Sequence, residues 1–198
     1  MSLPFSEACE KNKQPILEVI RPLFEKAVSV VEIGSGTGQH AEFFASSMPA
    51  IHWQPTDRAE HLAVIEARRQ ASGLSNYFPP LELDVNSDWP IQQADNIFTA
   101  NTLHIMSWKE VEKLFAGIGR VLLDGGLVCL YGPFNYQGQY SSESNARFDE
   151  WLKQQDPNSA IRDFEAIERL AGRVGLSLLQ DIAMPANNRC LVFKKPVR

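Results

Sequence analysis

The stretch Val30-Val31-Glu32-Ile33-Gly34-Ser35-Gly36-Thr37-Gly38 decides the architecture, because a β-branched run leads straight into three alternating glycines. Val28 to Ile33 reads as a strand buried on both faces, since branched side chains suit the extended backbone. Glycine at every second position then lets the chain turn sharply and approach a ligand with no Cβ in the way. Beyond the turn a helix begins near Gln39, with Ala41, Phe44 and Ala45 as its apolar stripe. Its first amides face the same crevice, where a helix N-terminus favours an anion or polar group. Strand, glycine turn and helix in this order open a βαβ unit.

The alternation continues outward from that unit. Ile51 to Gln54 is a second strand ending at Pro55-Thr56-Asp57, and residues 59–72 form a helix closed by Gly73. Pro79 and Pro80 confine a third strand, 78–83, to its last residues, and 94–100 is the fourth. Ser107 and Glu110 spell a capping box, with Met106 and Val111 as its hydrophobic staple, so a helix is predicted from Ser107 to about Leu122. Residues 123–126 read as a turn, 127–131 as a fifth strand, and the polar stretch 135–143 as a functional loop. Helices fit 145–155 and 163–174, the second capped by Asp163. Strands 176–184 and 190–194, joined by Pro185-Ala186-Asn187-Asn188, make a hairpin, so the last strand is antiparallel. Upstream, residues 13–25 form an opening helix that Pro22 ends or bends.

The class is therefore α/β, a mostly parallel sheet with helices on both faces, in one domain spanning 1–198. Within it, 1–27 is an amino-terminal helix or lid, 28–133 the ligand-binding core, and 134–198 a substrate-side loop, helices and hairpin. The 198 residues, 44% hydrophobic and 22% charged, suit that domain. A core of this size needs neither metal nor disulfide to hold it. With 24 acidic and 19 basic residues the net charge is -5, gathered in no block, which argues against nucleic acid as a partner. Cys9, Cys129 and Cys190 show no CxxC or Cys/His spacing, so no metal site is expected and the thiols read as reduced, in a cytoplasmic setting. No apolar run reaches membrane length and no leader is evident, so secretion and membrane spanning are not expected.

A dinucleotide reader places a small residue at the sixth position of GxGxxG, where this chain has Gln39; the pattern is GxGxG. An acid followed by GxGxG, Asp57 ending the second strand, Asp84 in Leu83-Asp84-Val85 and a terminal hairpin together resemble the class I S-adenosylmethionine-dependent methyltransferases. The stretches Glu32 to His40, Ala100 to Ser107, Leu130 to Phe134 and Met184 to Asn188 look like a small set of methyltransferase-like proteins of bacteria and animals whose reaction is not established. That set has alanine in place of Gly34 and arginine in place of Lys11. The resemblance implies a seven-stranded sheet with one antiparallel strand and S-adenosyl-L-methionine as cofactor. Its site would comprise Glu32, Gly34, Ser35, Gly36, Gly38, Asp57, Asp84 and Asn101.

Residue chemistry stands beside this reading. Asp57 can accept both hydroxyls of a ribose and Asp84 an adenine amino group, although aspartate is also common where strands end in turns. Glu32 lies in an apolar strand and needs a partner, either the turn amides or the cofactor's ammonium group. Methyl transfer from a sulfonium is an in-line displacement that depends on alignment. His104 and Asn101, at the exit of the fourth strand, and Tyr131, at the end of the fifth, are the catalytic candidates, with His104 as base. The alternative for His104 is a ring bonded to backbone near a helix start. Asn135, Tyr136, Asn187 and Asn188 are candidate substrate contacts, and Tyr140 a weaker one. Glu10-Lys11-Asn12-Lys13 is either a lid or a solvated helix start, and His40 and His52 read as structural.

The function expected is methyl transfer to a small-molecule acceptor, since little chain remains for docking a macromolecule. The alternatives are a non-catalytic S-adenosylmethionine-binding module and a nicotinamide-dependent reductase, the latter lacking a Tyr-xxx-Lys pattern. Acceptor and oligomeric state stay open.

Overall fold

The computed structural model describes residues 3–197. Ser6 caps α1 (Glu7–Phe24), its hydroxyl accepting from the Cys9 amide at 3.3 Å. The helix thus starts before the expected residue 13 and runs through both Pro15 and Pro22. Its apolar periodicity begins only at Ile16 because the first turns are largely polar, so the cap, not the hydrophobic pattern, marks the start.

The chain continues as β1 (Ser29–Ile33), α2 (Gln39–Ser47), β2 (His52–Asp57), α3 (Ala59–Ser72) and β3 (Leu81–Glu82). Next come β4 (Ala94–Ala100), α4 (Trp108–Val121), β5 (Leu122–Gly132) and β6 (Phe134–Asn135). The remainder is α5 (Glu143–Gln155), β7 (Arg162–Asp163), α6 (Phe164–Arg173), β8 (Ser177–Met184) and β9 (Asn188–Lys194). Seven strands form one sheet in the order β3-β2-β1-β4-β5-β9-β8. Only β9 is reversed, pairing antiparallel with both β5 and β8. The chain moves outward from β1 to β3 and then returns to place β4 on the other side of β1. Ligands of open α/β sheets bind at such a switch point, beyond the carboxyl ends of the strands.

Alternation along the strands builds a core on each face. Val31, Ile97, Val128 and Leu191 meet α4 and α6 through Ile118 and Ile167. Val30, Phe98, Cys129 and Val192 face α1 and α2, where Ile16, Ile20 and Phe44 are fully buried. Local signals hold where their bonds are local. The Ser107 hydroxyl accepts from the Glu110 amide while the Glu110 carboxylate accepts from the Ser107 amide, and Gly73, at φ +65°, closes α3.

Three expectations are corrected. Residues 123–126 are no separate turn, because β5 begins at Leu122 and Gly125 and Gly126 exchange backbone bonds with Lys195. Asp163 sits at the start of α6 without a capping bond from its side chain. The long loop over 135–143 is short and ordered, since Tyr136 and Gln139 pair across a tight turn and Ser142 caps α5. Among the described residues no helix is long and apolar enough to cross a membrane, and no three metal-ligating side chains cluster. All three cysteines are free thiols.

Candidate active site

The glycine turn is set by the end of β2. The Gly34 and Ser35 amides both donate to Thr56 O at 3.0 Å, and the Gly36 amide donates to Asp57 Oδ2 at 2.6 Å. Asp57 Oδ1 accepts from the Arg58 amide at 2.8 Å, so this carboxylate braces the turn with one oxygen and the exit of β2 with the other. Gly34 and Gly38, at φ +75° and +74°, are glycines for steric reasons as well. A Cβ would come within 2.3 Å of Thr102 Cγ2 at the first and 2.7 Å of the Tyr77 hydroxyl at the second. At Gly36 a Cβ would meet nothing within 4 Å. The turn is therefore packed at its ends and open at its middle.

Glu32 does not reach the turn amides, which the Thr56 carbonyl and Asp57 already hold. It is buried and accepts from the Trp53 indole N–H at 2.7 Å. Burial pushes its carboxyl up to about 7, opposed by the Trp53 indole and the Ser35 hydroxyl and assisted by the nearby Asp57 charge. The Ser35 hydroxyl itself makes no well-formed hydrogen bond among the described residues. Asp84 closes its own turn, accepting from the Asn86 amide at 2.8 Å.

A cavity of about 660 Å³ opens at the exits of β4 and β5. The strand exits contribute Asn101, His104, Tyr131 and Pro133. From α1 come Glu7, Ala8, Lys11 and Asn12. The remaining wall is Ser144, Asn145 and Phe148 of α5 with Pro185, Ala186 and Asn188 of the hairpin. Asn101 adopts φ +58°, a left-handed conformation that asparagine tolerates better than most residues, and its amide donates to Tyr131 O at 2.8 Å. Its Oδ1 and His104 Nδ1 both lie 3.8 Å from where a Cβ on Gly132 would stand. The His104 ring is 6% exposed, lies edge-on to Phe148 at 5.2 Å, and has no hydrogen-bond partner among the described residues. Burial, with Arg162 nearby, pushes it down to about 4, so the imidazole is neutral at physiological pH. The Tyr131 hydroxyl accepts from Asn188 Nδ2 at 3.1 Å, and burial raises its pKa.

Four sequence candidates thus share one cavity: Asn101, His104, Tyr131 and Asn188. The glycine turn, Asp57 and Asp84 lie outside its lining. Four substrate candidates are not brought to its wall, the weaker one, Tyr140, donating to Asp149 Oδ2 at 2.7 Å. Tyr136 donates to Asp181 Oδ2 at 2.8 Å and stacks on Phe164. Asn135 belongs to the small β6–β7 ladder, its Oδ1 buried without a partner among the described residues. Asn187 donates to the Ser144 hydroxyl at 3.2 Å.

Sequence reasoning missed how α1 is held. Gln39 Oε1 accepts from the Ser6 amide at 2.5 Å and its Nε2 donates back to Ser6 O at 3.4 Å. His40 Nε2 donates to Asn12 Oδ1 at 2.6 Å, while Arg68 donates to both Thr37 O and Pro4 O. The residue that departs from the dinucleotide pattern is therefore a clamp on the amino-terminal segment. Gln39 at a position that favours small residues was the one available signal.

The sheet order, the reversed β9 and the glycine turn after β1 define the fold of class I S-adenosylmethionine-dependent methyltransferases. An O-methyltransferase family protein from Burkholderia thailandensis superposes with a TM-score of 0.85 at 14% identity, over 96% of this chain and 58% of that one. The S-adenosylmethionine-dependent methyltransferase SibL gives 0.81 at 19% identity, over 96% and 56%. Human N-acetylserotonin methyltransferase, solved in complex with SAM, gives 0.80 at 17% identity, over 96% and 53%. This chain spans a little over half the length of those proteins. By sequence it belongs to the family described as proteins of unknown function, DUF938, matched over residues 3–195.

Proposed function

We propose that this protein transfers a methyl group from S-adenosylmethionine to a hydroxyl of a small molecule. The observation that carries the reading is His104, a buried and neutral imidazole with no hydrogen-bond partner among the described residues, on the wall of a cavity at the exits of β4 and β5. The O-methyltransferases among the structural neighbours support a hydroxyl acceptor.

The residues present fit the cofactor. Gly36 has open space on its side-chain side, and among the described residues the buried Ser35 hydroxyl and the Asn101 side-chain amide have no hydrogen-bond partner. Each Asp57 oxygen accepts one backbone amide and keeps a lone pair for a ribose hydroxyl. When bound, S-adenosylmethionine supplies a methyl group on a positively charged sulfur, ready for in-line attack. His104 takes the hydroxyl proton as the acceptor oxygen becomes an ether oxygen. Asn101 and Tyr131 orient that oxygen in the space between α1 and α5.

The nicotinamide-dependent alternative is less well served, because Gln39 is committed to Ser6 where a dinucleotide site needs a small residue. The binding-only alternative leaves the unpartnered His104 without a use. Calorimetry separates these readings: S-adenosylmethionine and S-adenosylhomocysteine should bind and NADH should not. NADH binding with no response to either sulfur compound would sink the proposal. Asp57→Ala should weaken S-adenosylhomocysteine by roughly 1–3 kcal/mol, the range for hydrogen bonds to a charged group. It should also lower the melting temperature, because the Gly36 amide loses its acceptor. With a net charge of -5, the protein should ignore DNA and RNA at physiological salt in a filter-binding assay, and micromolar retention would contradict a small-molecule role.

A further inference from the structure

The polar groups around the cavity are uneven in what they offer a ligand. Its charged lining residues are Glu7 and Lys11, which pair with each other at 3.5 Å on the exposed rim. Inside, the lining is amide-rich. Asn145 donates its Nδ2 to the Ser141 hydroxyl and to Asn187 O, and Asn188 donates its Nδ2 to the Tyr131 hydroxyl and Pro185 O. Their carbonyl oxygens make no hydrogen bond among the described residues, and neither does any part of the Asn101 side-chain amide or the His104 ring. Asn145 and His104 are each 6% exposed, whereas Asn101 and Asn188 are half-buried, so the uncommitted groups run from the interior toward the cavity mouth.

Opposite chemistry is supplied by Phe148. Its ring is held edge-on by His104 at 5.2 Å and stacked on Trp151 at 5.8 Å, which makes it a fixed aromatic surface. Pro133 and Pro185 extend the apolar part. A cavity of about 660 Å³ lies within the range of small-molecule sites. A carboxylate or ammonium group drawn against His104 and Asn145 would meet no charged lining residue beyond the rim pair and would shed part of its hydration there, a cost that neutral amides do not repay. A neutral donor group finds the two free carbonyls of Asn145 and Asn188.

Building on the methyltransferase reading, we infer that the acceptor is an uncharged ring compound bearing a second hydrogen-bonding group, such as an amide, besides the methylated hydroxyl. The ring lies against Phe148, and the second group is read by Asn145 and Asn188.

The test uses the full chain saturated with S-adenosylhomocysteine and three probes of matched size: para-hydroxybenzamide, para-hydroxybenzoate and para-hydroxybenzylamine. Ligand-observed NMR should show the amide binding with a Kd on the order of 1 mM, as a small fragment does, and at least about tenfold tighter than either charged probe. Asn188→Asp should move the ratio of amine to amide affinity toward the amine by roughly tenfold, since a carboxylate then faces the cavity. Reading the ratio cancels any general loss of folded protein. Equal or tighter binding of the benzoate or the benzylamine, no binding by any probe, or an unchanged ratio in Asn188→Asp would each overturn the inference while leaving the methyltransferase reading in place. Failure of S-adenosylhomocysteine to bind would overturn both.

Discussion

Glu32→Gln is expected to stabilise the protein at about pH 8 by on the order of 3 kcal/mol, and to change it little near pH 4.5. The Glu32 carboxyl is buried and its pKa is raised from 4.5 to about 7, first by loss of hydration and then by the Asp57 charge. Folding therefore takes up a proton between those two values. Wild-type stability falls as pH rises through that window, and above it the full cost of holding an anion in the interior is present. Glutamine keeps an oxygen for the Trp53 indole N–H, 2.7 Å away in the wild type, and its amide can donate to the otherwise unpartnered Ser35 hydroxyl. In a chain of this size the gain corresponds to a melting shift of roughly 6–12 °C at the higher pH. Thermal scans across the pH range decide the matter. A variant stabilised equally at both ends, or not at all, would mean that Glu32 carries no buried charge cost.

His104→Asn is expected to lower turnover by about 100-fold or more, the usual contribution of a positioned base, while S-adenosylhomocysteine affinity stays near wild type. Asparagine keeps a hydrogen-bonding tip but cannot take up the proton released from the acceptor hydroxyl. On the proposed function, the same geometry sets the pH profile of turnover by the wild-type protein. An ordinary histidine would lose its base form below about 6.5, whereas burial holds His104 neutral down to about 4. Turnover should therefore stay flat as pH falls past 6 and decline only on approach to 4. Formation of S-adenosylhomocysteine, followed with an acceptor that the wild type methylates, measures both effects. Activity within about fivefold of wild type in the variant would return His104 to a purely structural role, since a positioned base contributes far more.

The Asp57 substitution has a double outcome that the sequence does not suggest. From sequence, Asp57 is a ligand contact at a strand end. In the fold it also holds the Gly36 amide, so turn geometry and ligand affinity are linked through one carboxylate. His104→Asn is cleaner for that reason, because the ring makes no hydrogen bond that the scaffold depends on.

What the sequence determined by itself is the set of features whose physics closes within a few residues. The buried strand over 29–33 running into alternating glycines, the Ser107–Glu110 capping box, the Gly73 stop and the reversed terminal hairpin follow from local sterics and local hydrogen bonds. Together they fix the βαβ order, and with it the crevice where Asn101, His104 and Tyr131 emerge. Only the tertiary structure decided which polar side chains face that crevice. Tyr136 and Asn188 looked alike as polar residues near strand ends, yet one is drawn to Asp181, 45 positions away, and the other to Tyr131, 57 positions away. The start of α1 is likewise settled by Gln39 and His40, which bond to Ser6 and Asn12 across 33 and 28 positions. Such partners are chosen by sheet register and helix packing. A register shift of one residue sends every side chain of a strand to the opposite face, so composition and spacing along the chain do not reveal them.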